Sequence, residues 1–427
     1  MVLAGRVKDI DRMVLRVPFT SRCAEWNSLL VWRWSVVEVV RVETDAGVVG
    51  WGESLLHYGW SGGTTDDAVE RVRGANAASF LGDDSVGAGL QIALYDVVGQ
   101  ALDVPAHALL PGPKVRDRCP LAWWNTKMPP QTLAAEAKDA VAAGYLAHKF
   151  KPRPWFDIYD QIEQVSAITP AEYSLDMDFN GMLLSAGHAA PVLAELDTYD
   201  RTAIYEAPIP QRDLAGYQQL RGKVRRPLAV HWHEQSFPTG THANAVDGYV
   251  VSGGAHRVMH QATLCAEFNK NFWLQNVGLG LTTAFQAHLG AVLTHARWPA
   301  VTALNNYGHD LLREPLTITD GMVTVPDGPG LGVRFDESVI DRFRMRPPYD
   351  VPEPRHILTV TWPTGRQVHY TRMRQCWDDF LAGNQPVFGR GVTLQVHREA
   401  DAPDPVAWAD LHRRASKAPV YDKVAAA

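Results

Sequence analysis

Hydrophobic and polar positions follow two different rhythms along this chain. Near the N-terminus the period is that of a strand. Ser35-Val-Val-Glu-Val-Val-Arg-Val-Glu-Thr44 is rich in β-branched residues, Asp45-Ala-Gly47 supplies a turn, and Val48-Val-Gly-Trp-Gly-Glu53 returns, which predicts a hairpin. Residues 18–30 are irregular and predict a mobile loop carrying Arg22, Glu25, Trp26 and Asn27. Residues 68–101 read as helical with a stop near Gly82-Asp-Asp-Ser85; Leu90, Leu94, Val97 and Val98 fall on one face of the second part. Pro111-Gly-Pro113 closes this first unit.

From Pro120 short apolar runs alternate with amphipathic stretches. The runs are Pro120-Leu-Ala-Trp-Trp124, Leu146-Ala-His-Lys-Phe-Lys151, Tyr173-Ser-Leu-Asp-Met-Asp178, Ala203-Ile-Tyr-Glu206, Leu228-Ala-Val-His231, Gly248-Tyr-Val-Val-Ser252, Phe272-Trp-Leu-Gln275 and Val301-Thr-Ala-Leu304. Their starts lie roughly 20 to 30 residues apart, the length of one strand-helix unit. Residues 131–144, 255–270 and 281–295 suit the intervening helices. Seven or eight such units close most simply as a (β/α) barrel. An open doubly wound sheet is the rival, but no G-x-G-x-x-G loop follows the first strand. After Val325-Pro-Asp-Gly-Pro-Gly-Leu-Gly332 the rhythm stops. Residues 353–362 and 392–397 read as strands and residues 373–382 as a short helix, in a tail that shows no chemistry of its own. The division is therefore 1–118, 119–325 for the barrel, and 326–427.

The 427 residues exceed one ordinary core, so more than one domain is expected. The formal net charge of −6 lacks the basic footprint of a nucleic-acid binder. No apolar run is long enough to span a membrane, and the start lacks the apolar region of a signal peptide. Cys23, Cys119, Cys265 and Cys376 have no metal-like spacing and read as free thiols, which points to a cytoplasmic protein.

The chemistry gathers at the polar ends of the apolar runs, which converge on one face of a barrel. Lys149 and Lys151 stand two apart and share a side, while Phe150 faces the helices. Two inward ammonium groups depress one another's pKa, and a lysine so depressed serves as a general base. A strand edge with both lysines in water is the bland alternative. In Ser174-Leu-Asp-Met-Asp178, Asp176 and Asp178 share a face; Asp178 and Glu206 offer oxygen donors from adjacent strands for a hard cation such as Mg²⁺. A structural salt-bridge network is the alternative. Asp176 lies one pleat deeper and is expected to hold Lys149 or Lys151, and Asn180 to orient a ligand or water. In Pro227-Leu-Ala-Val-His-Trp-His-Glu234 one register turns His231 and His233 inward, and a one-residue slip turns in Trp232 and Glu234. A histidine ligand would favour Mn²⁺ or another divalent metal over Mg²⁺.

Several of these pieces resemble a known family. Thr44-Asp-Ala-Gly-Val-Val-Gly-Trp-Gly-Glu53, Ile92-Ala-Leu-Tyr-Asp-Val-Val-Gly-Gln100, Lys149-Phe-Lys151, Asp178-Phe-Asn-Gly181, Glu206-Ala-Pro208, Gly253-Gly254 and Asp327-Gly-Pro-Gly-Leu-Gly332 are similar, in this order, to the mandelate racemase/muconate lactonizing enzyme family of the enolase superfamily. The resemblance runs from about residue 5 to 335. It implies an N-terminal α+β capping domain on a modified (β/α) barrel, here with a C-terminal extension, and commonly a homo-oligomer. It makes Lys151 the base, Lys149 the lysine that supports it, and Asp178 and Glu206 the first two metal ligands; a Lys or His base with Mg²⁺ is the superfamily's known chemistry. The loops near residues 22–27 and 57–60, with Arg22 and His57, would close over the substrate. Two departures stand out. The third ligand, usually acidic, falls on His231 or Trp232. The far side of the barrel holds Gly248 and Gln275-Asn276 and shows no second base.

With a single base, the expected reaction is dehydration of a hydroxy or sugar acid, with His231 or His233 as the acid. Trp60, Trp123 and Trp124 would stack on the substrate, and Asn125, Arg153 and Arg22 would take up its hydroxyl or carboxylate groups. A cycloisomerase or racemase/epimerase of the same family is the second reading. A degenerate, metal-free barrel that only binds a ligand is the third.

Overall fold

The computed structural model describes residues 5–60, 62–234 and 236–423. Residues 1–4, where the leader reading begins, lie outside the described residues. No described helix is long and apolar enough to cross a membrane.

The first unit is a three-stranded antiparallel sheet, Val7–Arg16, Val36–Thr44 and Val49–Leu55, with the helix Ala88–Leu102 packed across it. The close approach of helix to sheet explains the G-x-G of the second hairpin strand. A Cβ on Gly52 would lie 2.0 Å from the Gly89 carbonyl oxygen, and one on Gly50 2.5 Å from that of Ala93. The helical stretch over 68–101 is interrupted, as expected from Gly82-Asp-Asp-Ser85, but over a wider span. Asp66–Val72 ends before Gly74, and the long helix begins only at Ala88. The irregular stretch at 18–30 contains a helix, Ser21–Asn27, which buries Cys23, Trp26 and Asn27. Asn27 Nδ2 donates to Asn306 Oδ1 at 3.1 Å, so this loop is fastened to the barrel.

Seven parallel strands follow in sequential order: Trp123–Trp124, Ala147–Phe150, Ser174–Asp178, Thr202–Glu206, Leu228–His231, Gly248–Val251 and Asn271–Leu274. The eighth apolar run gives no full strand. Ala300 pairs with Leu121 and Val301 with Gln275, both in parallel, and these two bridges join the seventh strand to the start of the first. The run then turns away because Ala303 adopts a left-handed backbone, φ 61°. The architecture is α/β, a curled parallel barrel sheet under an α+β cap.

After the barrel the chain returns to the cap. Leu331 N donates to Asp96 Oδ1 (2.9 Å), and Phe335 stacks on Trp51 with ring centroids 4.4 Å apart. Gly330, at φ 70°, is demanded there: a Cβ would sit 2.3 Å from Asp96 Oδ1. The tail forms a four-stranded antiparallel sheet in the order Thr393–Arg398, His356–Thr361, Arg366–Tyr370, Val420–Lys423, with helices Met373–Leu381 and Pro405–Ala415. It sits against the barrel loops: Phe388 meets Phe179 (5.6 Å), Gly391 N donates to Asp157 (2.7 Å), and the Arg153 guanidinium lies 5.3 Å from the Trp377 ring.

Candidate active site

Side-chain alternation carries the site. In Ala147–Phe150 and the residue after it, Lys149 and Lys151 point to the mouth while Phe150 packs outward, fully buried. Asp178 and Glu206 are register partners at the ends of the third and fourth strands. Each lysine meets one of them. Lys149 Nζ is ion-paired with Glu206 and Lys151 Nζ with Asp178. Lys149 also donates to Gln275 Oε1 (2.6 Å) and lies 4.7 Å from the centre of the Trp273 ring, so its charge is enclosed on every side. Asp178 Oδ1 accepts from Asn180 N (3.0 Å), and the Asp178 carbonyl accepts from Arg153 Nη1 (3.1 Å).

Glu206 faces His231 as well, whose Nε2 lies 3.0 Å from its Oε1. Burial alone would raise this carboxyl, but Lys149 and then His231 hold it well below the usual carboxylate range. These are ion-pair contacts rather than aligned hydrogen bonds, since among the described residues both Glu206 oxygens are buried without a hydrogen-bond partner. The fifth-strand register is the one that turns His231 to the mouth: Trp232 packs outward on Phe237 (5.6 Å), and Glu234 is exposed. The His231 N–H, donating to Gln211 Oε1 at 2.7 Å, fastens that register. Asp176 pairs with neither lysine among the described residues. Burial pushes it up to about 7, with Lys149 opposing and Glu206 adding to the rise.

Two cavities open at this mouth. The first, about 390 Å³, is lined from the cap by residues 30–34, His57 and Tyr58, and from the barrel by Trp124, Thr126, Lys151, Asn180, Gln275, Val277 and Val301. The second, about 230 Å³, lies against Glu53, Trp60, His231, Ser252 and Asn276. Tyr58, Gln275 and Val277 border both. Of the residues expected to touch substrate, Trp124, Asn180 and His57 therefore line the first cavity.

Others stand elsewhere. Arg22 does not reach the mouth: its guanidinium pairs with Glu136 (2.8 Å) and Asp139 on the helix Pro130–Ala142. Asn125 is fully buried, its Nδ2 donating to Glu136 Oε2 (3.1 Å) and its Oδ1 facing His148 Nε2 (2.8 Å). Arg153 is likewise sealed among the Pro152 and Asp178 carbonyls and Asn180. His233 is exposed, with its ring centroid 6.4 Å from that of His231, and borders neither cavity.

The sequence reading passed over Gln275 as a site residue, although it was legible as the polar end of the seventh strand. It also passed over Tyr58 and Lys127, whose loops carry no periodic signal. Lys127 is fully buried with no partner for Nζ among the described residues. Burial pulls its pKa down to about 7, with Arg153 adding to the fall, Cys376 opposing it and Lys151 contributing least. The unfolded chain holds that proton up to about pH 10. Folding thus releases a proton between these values, and stability should rise with pH from about 7 to about 10, the full cost being present below 7. Lys127→Met should remove that rise and stabilise the protein at pH 7 by about 1–4 kcal/mol, read by thermal unfolding across pH.

Metal fit rests on the donors. Among the described residues no three His, Cys, Asp or Glu side chains converge closely enough to cage an ion by themselves. Asp178 and Glu206 nonetheless present carboxylates in register on adjacent strands, and the buried Glu206 oxygens face only cationic or imidazole nitrogen, from Lys149 and His231, among the described residues. Hard oxygens of that kind suit a small divalent cation completed by further ligands.

A capped (β/α) barrel with paired lysines and carboxylates at its mouth is the frame of an enzyme that handles protons next to carboxylates. The model of the family described as enolase C-terminal domain-like matches residues 132–339. This match covers just under half of the chain, and a mandelate racemase/muconate lactonizing family protein of Azoarcus sp. EbN1 shares the fold, with a TM-score of 0.64 at 21% identity over 80% of this chain and 98% of that one. The chain is 26% identical over 413 residues to a D-gluconate dehydratase of Thermoproteus tenax, covering 83% of this chain and 78% of that one. It is 25% identical over 352 residues to a D-galactarolactone cycloisomerase of Agrobacterium fabrum, covering 73% and 92%. Among solved structures, the 2-chloromuconate cycloisomerase of Rhodococcus opacus 1CP superposes with a TM-score of 0.65 at 20% identity, covering 80% of this chain and 99% of that one.

Proposed function

We propose that this protein is a divalent-metal-dependent lyase that dehydrates a sugar acid, with Lys151 removing the proton α to the carboxylate. The observation that carries the reading is the pairing of Lys151 with Asp178 and Lys149 with Glu206 beside a largely apolar, aromatic-lined cavity into which Asn180 and Gln275 bring polar groups. Lys151 borders that cavity and so reaches substrate. Lys149, fixed between Glu206, Gln275 and Trp273, supplies fixed positive charge where the enolate develops. Asp178 and Glu206, with His231 beside the latter, would hold Mg²⁺ or, given the imidazole, Mn²⁺. A bound divalent cation neutralises the charge that builds on the substrate carboxylate. Dehydration is favoured over racemisation because the residues that follow the sixth and seventh strands at the mouth, Ser252, Gln275 and Asn276, include no base. The dehydratases among the relatives support the same choice.

The test is a screen of D-gluconate, D-galactonate and D-xylonate with Mg²⁺ or Mn²⁺ for formation of the 2-keto acid. Dehydration of at least one is expected. A cycloisomerase, the second reading, is favoured by the same one-sided placement of the base and by the galactarolactone relative; it would show as α-proton exchange without loss of water. Absence of any divalent-ion effect on thermal unfolding would sink both readings and favour a metal-free binding barrel.

A further inference from the structure

We propose that the proton given to the departing hydroxyl comes from the cap, from the phenol of Tyr58. This rests on the dehydratase reading above and names the acid that it lacks. Among the described residues, the barrel offers none on the face opposite Lys151. The sixth strand reaches the mouth at Ser252, Gln275 is engaged by Lys149, and Asn276 Oδ1 and Nδ2 are bound to the Gly253 backbone. His231 is turned to Glu206, and His233 stands outside both cavities.

Tyr58 is differently placed. It borders both cavities, with Lys151 and Asn180 across the first and His231 across the second. Its ring rests on Trp34 (4.6 Å), which rests on Trp124 (5.2 Å), so the phenol is held by an aromatic shelf spanning cap and barrel. The charges of Lys149, Glu206 and Asp178 all act on the phenol. The residue is 41% exposed, but the partial burial of its phenol raises the pKa and so keeps it protonated, the form a donor needs. His57, its neighbour, uses Nε2 on the Tyr349 carbonyl (2.7 Å).

In the step, Lys151 Nζ takes the α-proton and the C–H electrons form the carbon–carbon double bond of the enolate. The β C–O bond then breaks, the oxygen takes the Tyr58 proton, and water leaves. The enol product tautomerises to the 2-keto acid. Lys151 passes its proton to solvent and Tyr58 recovers one, so one water is lost per turnover and nothing is oxidised.

The experiment compares wild type and Tyr58→Phe on D-gluconate and D-galactonate in ²H₂O with Mg²⁺, following both 2-keto acid formation and deuterium at the α-carbon of recovered acid. Tyr58→Phe is expected to lose about 10²–10⁴-fold in elimination, while deuterium still enters the α-carbon because Lys151 is intact. Elimination at the wild-type rate overturns the proposal. Equal loss of exchange and elimination also overturns it, since Tyr58 would then serve binding alone. If wild type neither exchanges nor eliminates any acid, the dehydratase reading itself has failed. Matching thermal unfolding of the two proteins excludes a folding defect.

Discussion

Lys151→Ala should abolish turnover, lowering it by at least about 10³-fold, within the range that removal of a positioned base costs. It should abolish α-deuterium exchange equally, which separates it from Tyr58→Phe. Two features make this variant a clean one. Lys151 is partly exposed at the cavity, so truncation opens no deep void. Its partner Asp178 keeps the Asn180 N–H on Oδ1, so the carboxylate is not left without any partner. A divalent cation and the Lys151 ammonium compete for the same carboxylate. Mg²⁺ or Mn²⁺ should therefore raise the unfolding temperature of Lys151→Ala more than that of wild type. Full activity in this variant would remove Lys151 from the role of base.

The order of the fold was largely legible from periodicity. Every apolar run from 120 to 275 contributes a strand to one parallel sheet, because a buried parallel strand needs apolar residues on both faces and ends where polar residues begin. The eighth run failed as a strand although its composition matches. A left-handed residue at Ala303 diverts it, and the following Asn305 instead bonds both ways with Trp124. The helix Ser21–Asn27 escaped notice because it is short and its N-cap, Thr20, makes no side-chain bond to the first turn. The carboxylates and lysines were readable because strand alternation dictates which side chains share a face. Arg22 and Asn125 were read from residue type alone, and type does not say what a side chain will meet. Arg22 is drawn to Glu136 and Asp139 across a helix whose position only the folded chain sets. His231 and Trp232 were undecidable in sequence because a one-residue slip exchanges them; the Gln211 side chain, some turns away, is part of what decides.

The cap contributes more than cover. Glu53, at the end of its last strand, accepts from Leu279 N (2.7 Å) and Thr282 N (2.9 Å) and so pins the loop that follows the seventh strand. That loop follows Gln275, which holds Lys149. The tail reaches the same mouth from the other side, through Val351, whose carbonyl accepts from Trp32 Nε1 (2.9 Å), and through Trp377 against Arg153. The cavity is thus walled by cap and barrel, and the tail braces both from outside it.

Glu206→Gln should be the most damaging change at the carboxylates, and in a way that separates stability from metal binding. Lys149 is about as buried as a side chain can be, and Glu206 is the one carboxylate ion-paired with it among the described residues. Neutralising that partner strands the ammonium beside Gln275 and the Trp273 face, a loss of about 3–5 kcal/mol for a broken buried pair. His231, half-exposed, loses its acceptor too but can turn to water at small cost. Measured without added metal, the variant should unfold at a markedly lower temperature than wild type. Added Mg²⁺ or Mn²⁺ should stabilise wild type and leave Glu206→Gln almost unmoved, because an amide oxygen is a far weaker ligand for a hard cation than a carboxylate. An equal upward shift in both proteins would place the cation elsewhere and remove Glu206 from the metal site.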